Sequence, residues 1–153
     1  MKIVQALGWY FPESLGGTEV YVAGLCRRLR AAGRDVRVAA PDPAAGDERA
    51  YEHDGIPVYR YPVPSRPTRD ESQGVAPVRG AERFHAWLAR ERPEVVHVHS
   101  FVTGLGLDEI RAAKAAGARV VVTAHTPGLG WLCQRGSMMR YGVEPCDGVA
   151  EPG

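Results

Sequence analysis

Five short apolar runs alternate along the chain with stretches of helical periodicity, and this alternation limits the possible folds more than any other feature. The runs occupy residues 3–7, 36–40, 58–63, 95–99 and 120–124. The last contains three consecutive valines, which is typical of a strand covered on both faces rather than on one. The sequence therefore predicts an α/β domain with a doubly wound, mostly parallel sheet in a three-layer α/β/α arrangement.

Three helices are predicted between these strands. The first covers residues 18–32, where apolar positions recur at helical spacing, with Thr18 as its N-cap and Gly33 as its stop. The second covers residues 79–92 and the third residues 105–116. Ser100 and Thr103 precede the third helix, and their hydroxyl groups are expected to cap it rather than to bind a ligand.

Composition narrows the class of protein. The 153 residues fit one domain, 44% of them are hydrophobic, and the formal net charge is +1. That charge balance argues against a nucleic-acid binder with a broad basic face. The apolar runs are far shorter than the roughly 20 residues of a membrane span, and the N-terminus has no signal-peptide pattern. We therefore expect a cytoplasmic protein without a membrane span, in which residues 62–77 form a long exposed connection.

The glycine pair before the first helix is the first candidate site. In open parallel sheets ligands bind beyond the carboxyl ends of the strands, and Gly16-Gly17 lies between the first strand and its helix. Adjacent glycines allow close approach of a backbone, and a helix N-terminus attracts an anion or a sugar hydroxyl. The alternative is that the pair only turns the chain. The loop after the first strand has neither the dinucleotide-binding nor the P-loop glycine pattern, which excludes a dinucleotide-binding dehydrogenase and a P-loop nucleotide-binding protein.

Histidines follow the fourth and fifth strands. His97 and His99 are two residues apart and should share a face of the sheet, with His97 hydrogen-bonded within the sheet covering and His99 nearer the strand end. His125 follows the fifth strand, where an imidazole can exchange hydrogen bonds with a ligand. A surface histidine without a role is the alternative for His125. No third or fourth ligand at a telling spacing supports a metal site.

Two further features concern cysteines and aromatic residues. Cys26 belongs to the apolar stripe of the first helix and is expected in the core, whereas Cys133 and Cys146 are expected to be unrelated thiols, since two ligands make no metal site. Four aromatic residues in strand-end loops are expected to leave an apolar patch through which the chain self-associates: Trp9, Tyr10, Phe11 and Trp131.

Four segments in order resemble family-4 glycosyltransferases. They are G-G-T-E-V-Y-V-A-G-L at 16–25, D-V-R-V-A-A-P at 35–41, P-E-V-V-H-V-H-S at 93–100 and A-R-V-V-V-T-A-H at 118–125. The resemblance implies one Rossmann-like half of the two-domain GT-B fold. Residues 1–153 would be the N-terminal, acceptor-side domain, and the C-terminal donor-binding domain would be absent from the chain.

The resemblance also implies a function. The family transfers a sugar from a nucleotide-sugar donor to an acceptor hydroxyl with retention of configuration, without a metal or other cofactor. If the family's residue roles are transferred to the matching positions of this sequence, the catalytic residue is His125, near the transferred sugar. The substrate-binding residues are then Gly16, Gly17, Thr18, His99 and Thr126. Thr126 stands where the family often has aspartate. We expect the chain to be inactive without its partner domain.

Two other functions compete with this one. A binding or interaction module can reuse the same fold without catalysis, because fold alone does not prove activity. Reading the coding frame beyond Gly153 would distinguish the two. A nucleotide-sugar epimerase or isomerase would share the cleft but would need a second catalytic signature, and the sequence contains none.

Overall fold

The computed structural model describes residues 1–72 and 74–125, together with two short paired strands at 139–140 and 144–145. The first six strands in chain order are β1 (Lys2–Ala6), β2 (Asp35–Asp42), β3 (Arg49–His53), β4 (Ile56–Pro62), β5 (Val95–Val98) and β6 (Arg119–Val122). The helices are α1 (Gly17–Ala31), α2 (Arg69–Ser72), α3 (Ala81–Glu91) and α4 (Leu107–Ala115). None of the helices in the described part of the chain has the length and apolar character needed to cross a bilayer.

These six strands form one sheet in the order β3-β4-β2-β1-β5-β6. All neighbours are parallel except β3, which pairs antiparallel with β4. The chain moves outward from β1 through β2 to β4 and then returns to the other side of β1 as β5. The order therefore reverses between β1 and β5, which confirms the predicted doubly wound, mostly parallel sheet and fixes its switch point.

Two apolar clusters cover the two faces of the sheet. One contains residues of α1, including Val22 and Cys26, packed against one face of β2 and β4. The other contains Phe84 and Leu88 of α3 and Ala113 of α4, packed against the opposite face. This arrangement confirms the predicted three layers and the predicted core position of Cys26.

The sheet has one strand more than predicted. β3 reads R-A-Y-E-H, and its charged residues hide the apolar alternation that marks a strand. It forms because β4 supplies an antiparallel partner across a tight turn at Asp54-Gly55. Tyr51 of this edge strand donates a hydrogen bond to the carbonyl oxygen of Phe11, which ties β3 to the loop after β1.

The predicted caps of α1 and α4 were wrong. Gly16 is the N-cap of α1, so Thr18 lies inside the first turn, and the helix starts without a side-chain cap. At α4 the N-cap is Gly106, whose amide donates to Glu109 Oε2 at 2.6 Å. Ser100 and Thr103 lie upstream in the loop. In both helices a glycine with a glutamate three residues later replaces the expected hydroxyl group.

The connection at 62–77 is also more ordered than predicted, since it contains α2. Glu71 of α2 is buried and accepts hydrogen bonds from the backbone amides of Thr68 and Arg79 and from the Arg79 guanidinium. These hydrogen bonds, that of the guanidinium first, lower the pKa of Glu71 to about 2. The salt bridge and hydrogen bonds between Glu71 and Arg79 therefore hold α2 against the residues that precede α3.

Candidate functional site

A cleft of about 410 Å³ lies at the switch point of the sheet. Three segments form it, each following the carboxyl end of a strand: the loop after β1 with the first turn of α1, the segment after β5, and the segment after β6. Among the described residues that line it, the ionisable ones are Glu19, His99 and His125. The sheet thus brings together the first helix start and both strand-end histidines, which the sequence placed only along the chain.

Glycines 16 and 17 have different surroundings at the cleft wall. A Cβ atom on Gly16 would lie 2.6 Å from Glu19 Oε2, whereas a Cβ atom on Gly17 would meet no atom within 4 Å. Glu19 is only 6% exposed, and its Oε1 accepts a hydrogen bond from Ser14 Oγ at 2.6 Å. A Cβ atom on Gly16 would therefore displace the Glu19 carboxylate, while Gly17 leaves open space beside the cleft.

The histidines form a hydrogen-bonded cluster under the cleft. His99 Nδ1 lies 3.0 Å from His125 Nε2, and His99 Nε2 lies 2.6 Å from Gln5 Oε1. His97 Nε2 lies 2.7 Å from Thr123 Oγ1, as expected for a histidine bonded within the sheet covering. His97 and His99 share a face, with ring centroids 3.9 Å apart.

Burial keeps the two inner histidines neutral. Desolvation, then the neighbouring His97 and His125, lowers the pKa of His99 to about 3. Desolvation and His125 also lower the pKa of His97. Within the described part of the chain no group of histidine, cysteine or acidic side chains is arranged to hold a metal ion.

Aromatic side chains form the rim of the cleft only in part. Tyr21 of α1 is half exposed, and its ring centroid lies 5.0 Å from that of His125, edge to face. Trp9 lines the cleft and is also half exposed. Tyr10, however, is fully buried in the α1 cluster, so its expected place in an exposed patch was wrong. The loop after β1 turns this side chain inward to fill the core.

The remaining predicted residues divide into two groups. Thr18 lines the cleft with the two glycines, although it is not a cap. Four predictions concern residues outside the described part of the chain: Thr126, Trp131, Cys133 and Cys146. Sequence reasoning assigned no place in the site to Gln5 or to Glu19. The glutamate three residues after Gly16 is a known helix-start signal, but a glutamine inside an apolar strand gives no local sign of a partner 94 residues away.

The chain belongs to the glycosyltransferase 4-like family, because the model of the "Glycosyl transferase 4-like domain" matches residues 16–148. The search of curated proteins found no match.

Solved structures show the same fold at low sequence identity. The catalytic domain of starch synthase IV from Arabidopsis thaliana, bound to ADP and acarbose, matches with a TM-score of 0.53 at 18% identity, over 81% of this chain and 34% of that one. Sucrose-phosphate synthase from Thermosynechococcus elongatus gives 0.52 at 18% identity, over 84% and 34%. An E. coli trehalose-6-phosphate structure bound with UDP-2-fluoro glucose gives 0.50 at 17% identity, over 83% and 33%. The chain thus spans about a third of the length of these GT-B proteins.

Proposed function

We propose that this chain is the acceptor-side half of a retaining glycosyltransferase that moves a sugar from a nucleotide-sugar to an acceptor hydroxyl. The observation that carries the proposal is the cleft at the switch point, where the start of α1 and the segment carrying His125 meet. A family of glycosyltransferase domains and neighbours with bound ADP or UDP-2-fluoro glucose support this use of the cleft.

In this proposal His125 acts at the reacting sugar. Its ring lies at the rim, beside the half-exposed Tyr21, where it can exchange a hydrogen bond with a sugar hydroxyl. Gly17 and Thr18 are the first two residues of α1, so their amides have no intrahelical partner and can donate to the departing diphosphate, whose negative charge grows as the glycosidic bond breaks. Thr126 follows directly and is proposed to bind the same sugar.

The charge of the cleft limits what this half can do alone. Among the described lining residues there is no lysine or arginine, and Glu19 adds a carboxylate close to Gly16. Helix-terminus amides supply only about half a positive charge, so they cannot balance a diphosphate. We therefore propose that a donor-side domain outside these 153 residues supplies the missing cations and that the present chain has no transferase activity alone.

Ligand-detected NMR with a panel of UDP-, ADP- and GDP-linked hexoses tests the binding step. We expect weak binding, with a dissociation constant of about 1 mM or above, corresponding to roughly −4 kcal/mol. His125→Ala should abolish the signal. His85→Ala is the matched control, because His85 lies on α3, on the opposite face of the sheet, and pairs with Glu109.

Two results would refute the proposal. Binding that survives His125→Ala unchanged would remove the histidine from the site. Sugar transfer by the purified 153-residue chain, measured by nucleotide release and product mass, would contradict the dependence on a donor-side domain.

A further inference from the structure

A buried glutamine in the central strand connects to the cleft through two histidines. Gln5 is fully buried in β1, and the sheet register places it opposite His97 of β5. Its side-chain oxygen meets Nε2 of His99, which is itself 2% exposed. His99 then meets His125 at the cleft rim. This row of side chains runs from the core to the site.

The side-chain oxygen of Gln5 determines which nitrogen donates in each hydrogen bond of this row. An amide oxygen only accepts, so His99 Nε2 must carry the hydrogen that lies between it and Gln5 Oε1. A neutral imidazole carries one hydrogen, so His99 Nδ1 is then an acceptor and His125 Nε2 must be the donor. In neutral His125 the hydrogen is thereby held on Nε2, and Nδ1 keeps a free lone pair.

Both nitrogens of His99 are therefore used inside the protein. The His99 ring has no nitrogen left for a ligand, although the residue lines the cleft. Within the described residues, no hydrogen bond engages Nδ1 of His125. The group that can reach a ligand is His125, and the two residues beneath it determine which of its nitrogens donates.

We propose that Gln5 and His99 are positioning residues that fix the tautomer of His125, so that its Nδ1 accepts a hydrogen bond from a hydroxyl group of the bound sugar. The part concerning the sugar rests on the proposed function, whereas the tautomers are properties of the free chain. Gln5 Nε2 is buried and has no hydrogen-bond partner within the part of the chain that the structure describes. Leaving that group unpaired is costly, and the hydrogen bond that the Gln5 side chain makes among the described residues is the one with His99.

Nitrogen-15 NMR of the histidine side chains in the 153-residue chain tests the proposal without any ligand. At a pH where the imidazoles are neutral, we expect His99 and His125 both to carry their hydrogen on Nε2. A coupling across the hydrogen bond should join His125 Nε2 to His99 Nδ1. Finding the hydrogen on His99 Nδ1 would overturn the proposal, because the row would then run in the opposite direction.

Three variants separate positioning from packing. Gln5→Leu keeps the volume but removes the acceptor, so His99 and His125 should lose their single-tautomer pattern. Gln5→Glu, with its carboxylate ionised, still offers only acceptors, so His99 Nε2 should keep its hydrogen. Val4→Ala is the packing control, because Val4 is equally buried in the same strand but faces the other layer. It should lower stability and leave both tautomers unchanged.

The outcomes also separate this proposal from the proposed function. If Gln5→Leu leaves both tautomers as in the parent chain, Gln5 has no positioning role, whatever the chain binds. If the tautomers respond as expected but no nucleotide-sugar binds, the row of hydrogen bonds stands and the assigned function fails.

Discussion

Replacing each glycine of the 16–17 pair by alanine should change stability in opposite directions. At Gly16 the new Cβ would lie 2.6 Å from Glu19 Oε2, a distance that real Cβ contacts do not reach. The Glu19 side chain must therefore move. Its hydrogen bond from Ser14 Oγ, at 2.6 Å, holds it in place and would be lost. At Gly17 the same methyl group meets nothing within 4 Å.

The magnitude follows from these contacts. A hydrogen bond to a charged group contributes about 1.5–3 kcal/mol, so Gly16→Ala should lower the free energy of unfolding by roughly 2 kcal/mol. Gly17 is the first residue of α1 and does not have a positive φ. Gly17→Ala should raise the free energy of unfolding by about 0.5 kcal/mol, because alanine loses less backbone entropy on folding.

Urea unfolding followed by tryptophan fluorescence measures both changes. With a slope of about 1–3 kcal/mol per M, the two midpoints should differ by roughly 1 M. Ser14→Ala is the matched control for Gly16→Ala: it removes the same hydrogen bond without the clash, and the two losses should not add. Equal midpoints for the two glycine variants, or a Gly17→Ala protein less stable than the parent, would refute the reasoning.

Three further predictions concern residues away from the cleft. The lowered pKa of Glu71 means that its contribution to stability is present above about pH 4.5 and is lost as the pH falls towards 2. Glu71→Gln should therefore make the free energy of unfolding depend less on pH over that window, and an unchanged pH dependence would contradict the salt bridge with Arg79. Gly80 has φ +87°, and a Cβ atom there would lie 1.9 Å from the carbonyl oxygen of Pro62. Gly80→Ala should therefore lower the free energy of unfolding, measured in urea, by at least about 3 kcal/mol, and a decrease under about 1 kcal/mol would disprove that close approach. Burial raises the pKa of Cys26 to about 12. Peptide mapping after brief alkylation should therefore find Cys26 unmodified in the native chain and modified in urea, and labelling of the native chain would contradict its core position.

Local patterns were sufficient for most of the fold. The apolar runs predicted five strands of the six-stranded sheet, because the strands of a parallel sheet are largely apolar. The expectation that the three-valine strand is covered on both faces was wrong, since β6 is an edge strand with Val121 and Val122 half exposed. The ends of α1 and α4 were fixed less well, since a glycine N-cap leaves no hydroxyl or amide signal in the sequence. β3 was missed because its strand character comes from its partner β4 and not from its own charged residues.

The candidate site depended more on tertiary structure. The sequence by itself determined which residues follow each strand, and therefore that Gly16, Gly17 and His125 lie at the edge formed by the carboxyl ends of the parallel strands. It did not determine that the Glu19 carboxylate lies against Gly16, or that both ring nitrogens of His99 are hydrogen-bonded, one to Gln5 and the other to His125. The hydrogen bonds of His99 join residues from different strands and loops, and hydrogen bonds across a sheet depend on register, which is set only when the layers pack.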